Sequence, residues 1–132
     1  MPVSAKKTIF KQLFRENLPI GTLYKRQAMI LVIDDDRAIR SSLTYILERN
    51  GYETKNAEGP ERAMEIVRNE APQLILMDMN FSLSTDGEEG LTLLKQVKLF
   101  CPDTPVILMT AWGNIDLAVR GMRAGAFDFI TK

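Results

Sequence analysis

The chain has 132 residues, of which 45% are hydrophobic and 26% charged, the ordinary composition of one globular domain with its own core. No apolar run approaches the roughly 20 residues of a membrane-spanning helix, and no signal-peptide pattern is present. The chain has no His and a single Cys, Cys101, which excludes imidazole-dependent catalysis, argues against structural zinc and favours a reducing, cytoplasmic location.

The net charge of zero hides an asymmetry along the chain. Residues 1–27 contain six Lys and Arg residues and one Glu, whereas residues 28–132 contain 11 basic and 16 acidic residues. We therefore expect a basic N-terminal extension over 1–27 and an acidic globular domain over 28–132. An acidic domain is a poor match for nucleic acid, so we expect no nucleic acid to bind this segment.

Hydrophobic patterning predicts strands and helices in alternation from residue 28 onward. The predicted strands are Met29–Ile33, Tyr52–Asn56, Leu74–Met77, Val106–Met109 and Phe127–Thr131. The predicted helices are Arg37–Asn50, Pro60–Asn69, Glu89–Phe100 and Asn114–Ala124. Asp36 is the expected N-cap of the first helix and Gly51 its C-terminal stop. The apolar faces are expected to include Leu99 in the third helix and Ile115 and Met122 in the fourth.

Alternating strands and helices predict an α/β fold with a doubly wound, five-stranded parallel sheet. Asp34, Asp35 and Asp36 follow the first strand, and Asp78 follows the third. The carboxyl ends of parallel strands share one edge, where sites form in such sheets. Clustered carboxylates repel one another and need a cation, and oxygen ligands favour Mg²⁺ before Ca²⁺ or Mn²⁺.

Five short segments lie at the ends of predicted strands or at the start of a predicted helix. Their order along the chain is specific. They are Ile33–Asp36, Leu76–Met79, Gly90–Leu94, Met109–Ala111 and Ala124–Lys132. Together they resemble the receiver domain of response regulators of bacterial two-component systems. The segment Thr110–Lys132 is especially similar to receivers of sigma-54-dependent activators of the nitrogen-regulator type. The resemblance implies the flavodoxin-like receiver topology, here lacking the last helix because the sequence stops at Lys132.

The resemblance also implies roles for individual residues. Asp78 would accept a phosphoryl group, with Lys132 supplying positive charge and Thr110 a hydroxyl. The implied magnesium ligands are Asp34, Asp35, Asp78 and the backbone carbonyl of Asn80. The implied switch residues are Thr110, Ala111, which leaves room for the phosphoryl group, and the aromatic Phe129.

The function implied is a phosphorylation-dependent switch driven by a sensor histidine kinase, with an output in sigma-54-dependent transcription. We expect no enzyme activity beyond phosphoryl acceptance and autodephosphorylation, no membrane contact, and leave homodimerisation open. The alternatives are a stand-alone receiver acting by protein contact, or a magnesium-dependent aspartate-nucleophile phosphatase. Such phosphatases require a second Asp two residues after the nucleophile, and this chain has Asn80 at that position.

Two segments depart from the family pattern. Gly90 comes about four residues later than usual after Asp78, which predicts a longer loop after the third strand. In the basic extension, Ile9, Phe10, Leu13, Phe14 and Leu18 have helical spacing. We expect Lys6–Asn17 to form a helix that covers, in its own or a neighbouring molecule, the apolar strip beside the first and fifth strands that the missing last helix would leave exposed.

Overall fold

The computed structural model describes residues 28–79, 88–110 and 115–131, which contain a single parallel sheet and its helices. The strands are β1 (Met29–Ile33), β2 (Glu53–Ala57), β3 (Leu74–Asp78), β4 (Val106–Thr110) and β5 (Asp128–Thr131). The helices in these ranges are α1 (Arg37–Arg49), α2 (Pro60–Asn69), α3 (Glu88–Phe100) and α4 (Ile115–Arg123). Each lies within one residue of its predicted bounds.

The strand order is β2-β1-β3-β4-β5, and all neighbouring strands run parallel. This order confirms the predicted doubly wound fold, because the chain runs outward from β1 to β2 and then crosses to β3, β4 and β5. The basic extension, the Lys6–Asn17 helix, the long loop and the chain after Thr131 lie outside the described residues.

The core consists of two layers of side chains, one on each side of the sheet. Alternate residues of β1, β3 and β4 pack against α2, α3 and α4 on one side, and the intervening residues pack with Leu43 and Leu47 of α1 on the other. Every residue of these three strands is buried. Continuous apolar strands are what a sheet covered on both faces requires.

Both predicted signals at the ends of α1 are confirmed. The Asp36 carboxylate accepts hydrogen bonds from the backbone N–H of Ala38 at 2.8 Å and of Ile39 at 3.4 Å, which makes it the N-cap. Gly51 follows the helix with φ of +89°, a left-handed conformation that glycine adopts without steric cost. These two residues set where α1 begins and ends: Asp36 shapes the turn that follows β1, and Gly51 the turn that leads to β2.

Three apolar side chains predicted to face the core are exposed instead. Leu99 is 82% exposed, Ile115 69% and Met122 38%. Leu99 comes two residues after buried Val97, about 200° around the helix, so 3.6-residue periodicity directs it away from the sheet. Helix α4 instead turns Gly121 toward the sheet, where an added Cβ would lie 2.1 Å from Leu108 Cδ1. The side of α4 that faces the core carries Leu117, Ala118 and Gly121, whereas Ile115 and Met122 lie outside it.

Candidate functional site

Three carboxylates meet at the carboxyl edge of the sheet. Asp34 and Asp78 are fully buried, Asp35 is exposed, and one carboxylate oxygen from each lies within 4.8 Å of the other two. The two buried acids lie at the ends of hydrogen-bonded neighbouring strands, β1 and β3. The predicted acidic cluster is therefore formed by these three side chains.

The register of the sheet explains why these residues meet. Ile33 pairs with Met77, so the next residues on each strand, Asp34 and Asp78, continue side by side. The N–H of Asp34 donates to the carbonyl of Ala57 on β2 at 3.0 Å, which keeps the chain in the sheet one residue beyond β1. The connections of β1 and β3 leave the sheet in opposite directions, and the crevice between them is where sites form in open α/β sheets.

The turn between β1 and α1 is held by hydrogen bonds of the acids themselves. Oδ1 of Asp34 accepts from the N–H of Asp36 at 2.8 Å, while the carboxylate of Asp36 caps α1. Arg40, one turn into α1, donates from Nη1 to the backbone carbonyl of Asp34 at 2.6 Å. Asp36 is thus committed to capping, and Asp34 and Asp35 face the site with Asp78.

Thr110 lies at the end of β4, next to the acids, and is 2% exposed. The N–H of Met79 bonds the carbonyl of Met109 at 3.0 Å, so the ladder between β3 and β4 runs one residue past Asp78 and brings Thr110 level with Met79. The Thr110 hydroxyl donates to the carbonyl of Ile130 on β5 at 3.4 Å, a long and weak bond. This bond therefore does little to hold the hydroxyl in its present orientation.

Gly90, in the first turn of α3, lets that helix approach the backbone next to the site. A Cβ built on Gly90 would lie 2.5 Å from the carbonyl oxygen and 2.9 Å from Cα of Met79, the residue that follows Asp78. A methyl group does not fit at those distances, so the approach requires glycine at this position. In the sequence Gly90 is recognisable as part of a family segment, but the contact it makes is not.

The remaining predicted site residues divide into two groups. Asn80, Ala111 and Lys132 lie outside the described residues, so their predicted roles stay predictions. Phe129, the predicted aromatic switch residue, lies on the edge strand β5 and is 38% exposed. The sheet therefore places Phe129 at its margin, beside β4 and the strand end that carries Thr110.

Two contacts near the site were missed by sequence analysis. The bond from Arg40 to Asp34 joins residues six apart, and the only signal in the sequence is a basic residue on the second turn of α1. Arg120 of α4 forms an ion pair with Glu88 at the start of α3, across 32 residues of chain. Separations of this kind carry no local sequence signal, because the fold alone makes the two residues neighbours.

The donor atoms suit a divalent cation. The cluster offers carboxylate oxygens from three residues, two of them removed from water, and hard oxygen donors of this kind bind Mg²⁺ or Ca²⁺. Like-charged carboxylates this close repel one another when no cation lies between them. Asp34, Asp35 and Asp78 are the described residues that would hold such an ion.

Comparison with known proteins identifies the class to which this fold and site belong. Residues 30–132 match the family described as the response regulator receiver domain, and the chain belongs to that family. The chain is 37% identical over 105 residues to the response regulator protein FleR of Pseudomonas aeruginosa, covering 80% of this chain and 21% of FleR. It therefore spans about a fifth of that relative's length.

Solved structures agree with this assignment. The receiver domain of NtrX from Brucella abortus is 38% identical with a TM-score of 0.72, covering 78% of this chain and 84% of that one. A response regulator from Burkholderia pseudomallei, solved with a phosphorylated aspartic acid, a calcium ion and citrate, is 26% identical with a TM-score of 0.72, covering 80% and 60%. The resemblance to receiver domains is thus confirmed. None of the helices in the described ranges has the length and apolar character that crossing a bilayer requires.

Proposed function

We propose that this chain is a phosphorylation-dependent switch in which Asp78 accepts a phosphoryl group from the phosphohistidine of a sensor histidine kinase. The observation that carries the proposal is the meeting of Asp34, Asp35 and Asp78 within 4.8 Å, beside the end of β4. Membership of the receiver family and the phosphorylated aspartic acid in the Burkholderia relative support it.

The proposed transfer needs little covalent chemistry from the protein. A carboxylate oxygen of Asp78 forms a new P–O bond while the P–N bond of the phosphohistidine breaks. The electron pair of the P–N bond stays on the imidazole, which takes a proton from water. Because attacking group and phosphoryl group are both anionic, positioning and positive charge are what the site must supply.

The residues that would hold Mg²⁺ are Asp34, Asp35 and Asp78, with the carbonyl of Asn80 as a further predicted ligand. Magnesium, when bound, offsets the negative charge of the carboxylates and of the incoming phosphoryl oxygens. Asp34 and Asp78 keep their carboxylates fixed because both are fully buried at strand ends. Lys132, one residue after β5, is proposed to supply further positive charge.

We propose that Thr110 reports the new charge to the rest of the domain. Its hydroxyl bonds the carbonyl of Ile130 over 3.4 Å, and a phosphoryl oxygen on Asp78 would be a stronger acceptor. Rotation toward Asp78 would leave the β5 carbonyl and change the packing of Phe129 and α4 beside it. A charge change at one residue would thereby shift the balance between two conformations.

The output is proposed from kinship. FleR is a response regulator protein nearly five times as long as the matched segment, and we propose that residues 28–132 control a sigma-54-dependent transcription output in the cytoplasm. On this proposal the segment itself binds no DNA and no membrane and catalyses only its own phosphorylation and dephosphorylation. A second copy of the domain is a candidate partner.

The test is intact mass spectrometry after incubation with Mg²⁺ and acetyl phosphate. We expect one added phosphoryl group on the wild-type chain and on Asp103→Ala, which removes an exposed carboxylate away from the site. We expect none on Asp78→Ala. Omitting Mg²⁺ should suppress the addition to the wild-type chain.

Circular dichroism before the incubation shows whether each variant is folded. Addition of a phosphoryl group to folded Asp78→Ala would place the acceptor elsewhere and contradict the assignment. No addition to folded wild-type chain, by acetyl phosphate or by a phosphorylated histidine kinase, would contradict the switch itself.

A further inference from the structure

Arg40 makes a contact with the acidic cluster that the proposed chemistry does not use. Its Nη1 donates to the backbone carbonyl oxygen of Asp34 at 2.6 Å, and the side chain is half-buried. Bonds from a charged donor at such distances are among the stronger hydrogen bonds in proteins. The accepting carbonyl belongs to the peptide that joins Asp34 to Asp35, the two acids that precede α1.

The orientation of that peptide sets the direction in which Asp35 leaves the sheet. The peptide before Asp34 is fixed by the bond from its N–H to Ala57, and the chain beyond is fixed where the N–H of Asp36 meets Oδ1 of Asp34. The bond from Arg40 fixes the peptide between these two points. Asp35 itself is exposed, so packing does little to hold its side chain in place.

We propose that Arg40 is a positioning residue for the magnesium site, acting through the Asp34–Asp35 peptide. This inference rests on the proposed function, because it takes Asp34 and Asp35 to be metal ligands. Arg40 holds the peptide so that both carboxylates converge on Asp78 before the ion arrives. Groups that orient metal ligands in this way commonly change metal affinity by about 10- to 100-fold when they are replaced.

If Arg40 acted through its charge alone, replacing it would have the opposite effect on Mg²⁺ affinity. A guanidinium repels a divalent cation nearby, so a residue that acted through its charge would weaken Mg²⁺ binding, and its removal would tighten it. A residue that anchors α1 without orienting the acids would change the free energy of unfolding and leave Mg²⁺ affinity as it was. The direction of the change in Mg²⁺ affinity therefore separates the positioning role from both others.

The experiment is calorimetric titration of MgCl₂ into the full chain and into three variants. We expect Arg40→Gln to weaken Mg²⁺ binding by about tenfold or more. Arg37→Gln is the matched control, because it removes the same charge from the same end of α1 while Arg37 is exposed and donates no described bond to Asp34. We expect its affinity for Mg²⁺ to stay equal or to rise. Arg40→Lys, which keeps the charge without the planar fork, should fall between wild type and Arg40→Gln.

Urea unfolding of each variant shows whether it is folded under the titration conditions. If Arg40→Gln is unfolded, Arg40→Lys is compared with Arg37→Lys, and weaker Mg²⁺ binding by Arg40→Lys is then the expected result. Equal or tighter Mg²⁺ binding by folded Arg40→Gln overturns the proposal, as does a wild-type chain that binds no Mg²⁺. Failure of the proposed function is a separate result: Mg²⁺ binds and follows this ranking, yet Asp78 takes up no phosphoryl group.

Discussion

The inner strands and the outer margin of this domain differ sharply in how their apolar side chains are used. Every residue of β1, β3 and β4 is buried, and the acidic cluster follows directly from two of these strands. At the margin, helix α4, strand β5 and the residue before β5 leave large apolar side chains exposed. These are Ile115, Val119, Met122, Phe127 and Phe129, with exposed fractions between 38% and 69%.

This difference indicates which part of the fold keeps a fixed structure and which part can change its conformation. On the proposed function the acids need fixed positions, because convergence of three carboxylates on one ion tolerates little displacement. The exposed apolar side chains of the margin lie outside the core, so a change in their packing costs less free energy than a change among the buried side chains of the inner strands. Contiguous exposed apolar side chains also mark surfaces that meet another molecule. We therefore expect the site to be rigid and its response to be expressed at α4 and β5.

The largest expected change in the free energy of unfolding comes from truncating the same residue type, isoleucine, in each of the two regions. Ile75→Ala removes a fully buried side chain of β3, and we expect it to lower the free energy of unfolding by about 2–5 kcal/mol. Ile115→Ala removes a side chain of α4 that is 69% exposed, and we expect a change within about 0.5 kcal/mol. Urea unfolding followed by circular dichroism measures both values.

Because both variants lose the same atoms, the difference between them isolates burial. A cost for Ile115→Ala close to that for Ile75→Ala would show that α4 is held as firmly as the central strands. The division into a fixed interior and a loosely held margin would then be wrong.

A smaller effect is expected where α3 meets the backbone beside Asp78. Gly90→Ala places a methyl group 2.5 Å from the carbonyl oxygen of Met79, so either helix or strand end must move. We expect a loss of about 1–3 kcal/mol in unfolding free energy, although Ala is otherwise the better helix former. Because Met79 follows Asp78, we also expect slower phosphoryl uptake from acetyl phosphate, measured as a time course of intact mass.

Gly59→Ala is the control for this substitution. Among the described residues nothing lies within 4 Å of a Cβ built on Gly59, which precedes α2 with an extended φ of −168°. We expect it to change stability by less than about 1 kcal/mol and to leave phosphoryl uptake unaltered. If Gly90→Ala took up the phosphoryl group as fast as Gly59→Ala, the approach of α3 would have no bearing on the geometry of the site.

The fold was predictable because its strongest signals are local. Apolar runs such as Met29–Ile33 mark strands, the Asp36 cap and Gly51 mark the ends of α1, and alternation of strand and helix then leaves few topologies. The acidic cluster was predictable for a related reason. Acids placed directly after two buried parallel strands must come to the same edge of the sheet, whatever the loops do.

Other features could not be predicted because they depend on how elements approach one another. Ile115 and Met122 look like core residues in the sequence, but only the packed structure shows which arc of α4 faces the sheet. The exposure of Leu99, in contrast, follows from its helical spacing relative to Val97. The close approach of Gly121 to Leu108 and the bond from Arg40 to Asp34 likewise exist only after folding. Hydrophobic periodicity indicates that a helix is amphipathic, whereas its rotation about its axis depends on packing, which in α4 brings Gly121 against Leu108.

The smallest expected effect tests the β2 side of the sheet, through the alkaline limb of the stability profile. Burial raises the pKa of the Tyr52 hydroxyl above its ordinary value of 10.0. As pH rises past that value, the unfolded chain loses this proton first, so the free energy of unfolding decreases until the raised folded pKa is passed. Below that window both states keep the proton, and Tyr52 adds no pH dependence.

We expect Tyr52→Phe to lose less stability than wild type above about pH 10, whereas Tyr45→Phe, which removes an exposed phenol, follows wild type. Urea unfolding from pH 8 upward measures the three profiles, and parallel curves for all three would mean that Tyr52 is as well hydrated in the folded chain as in the unfolded one.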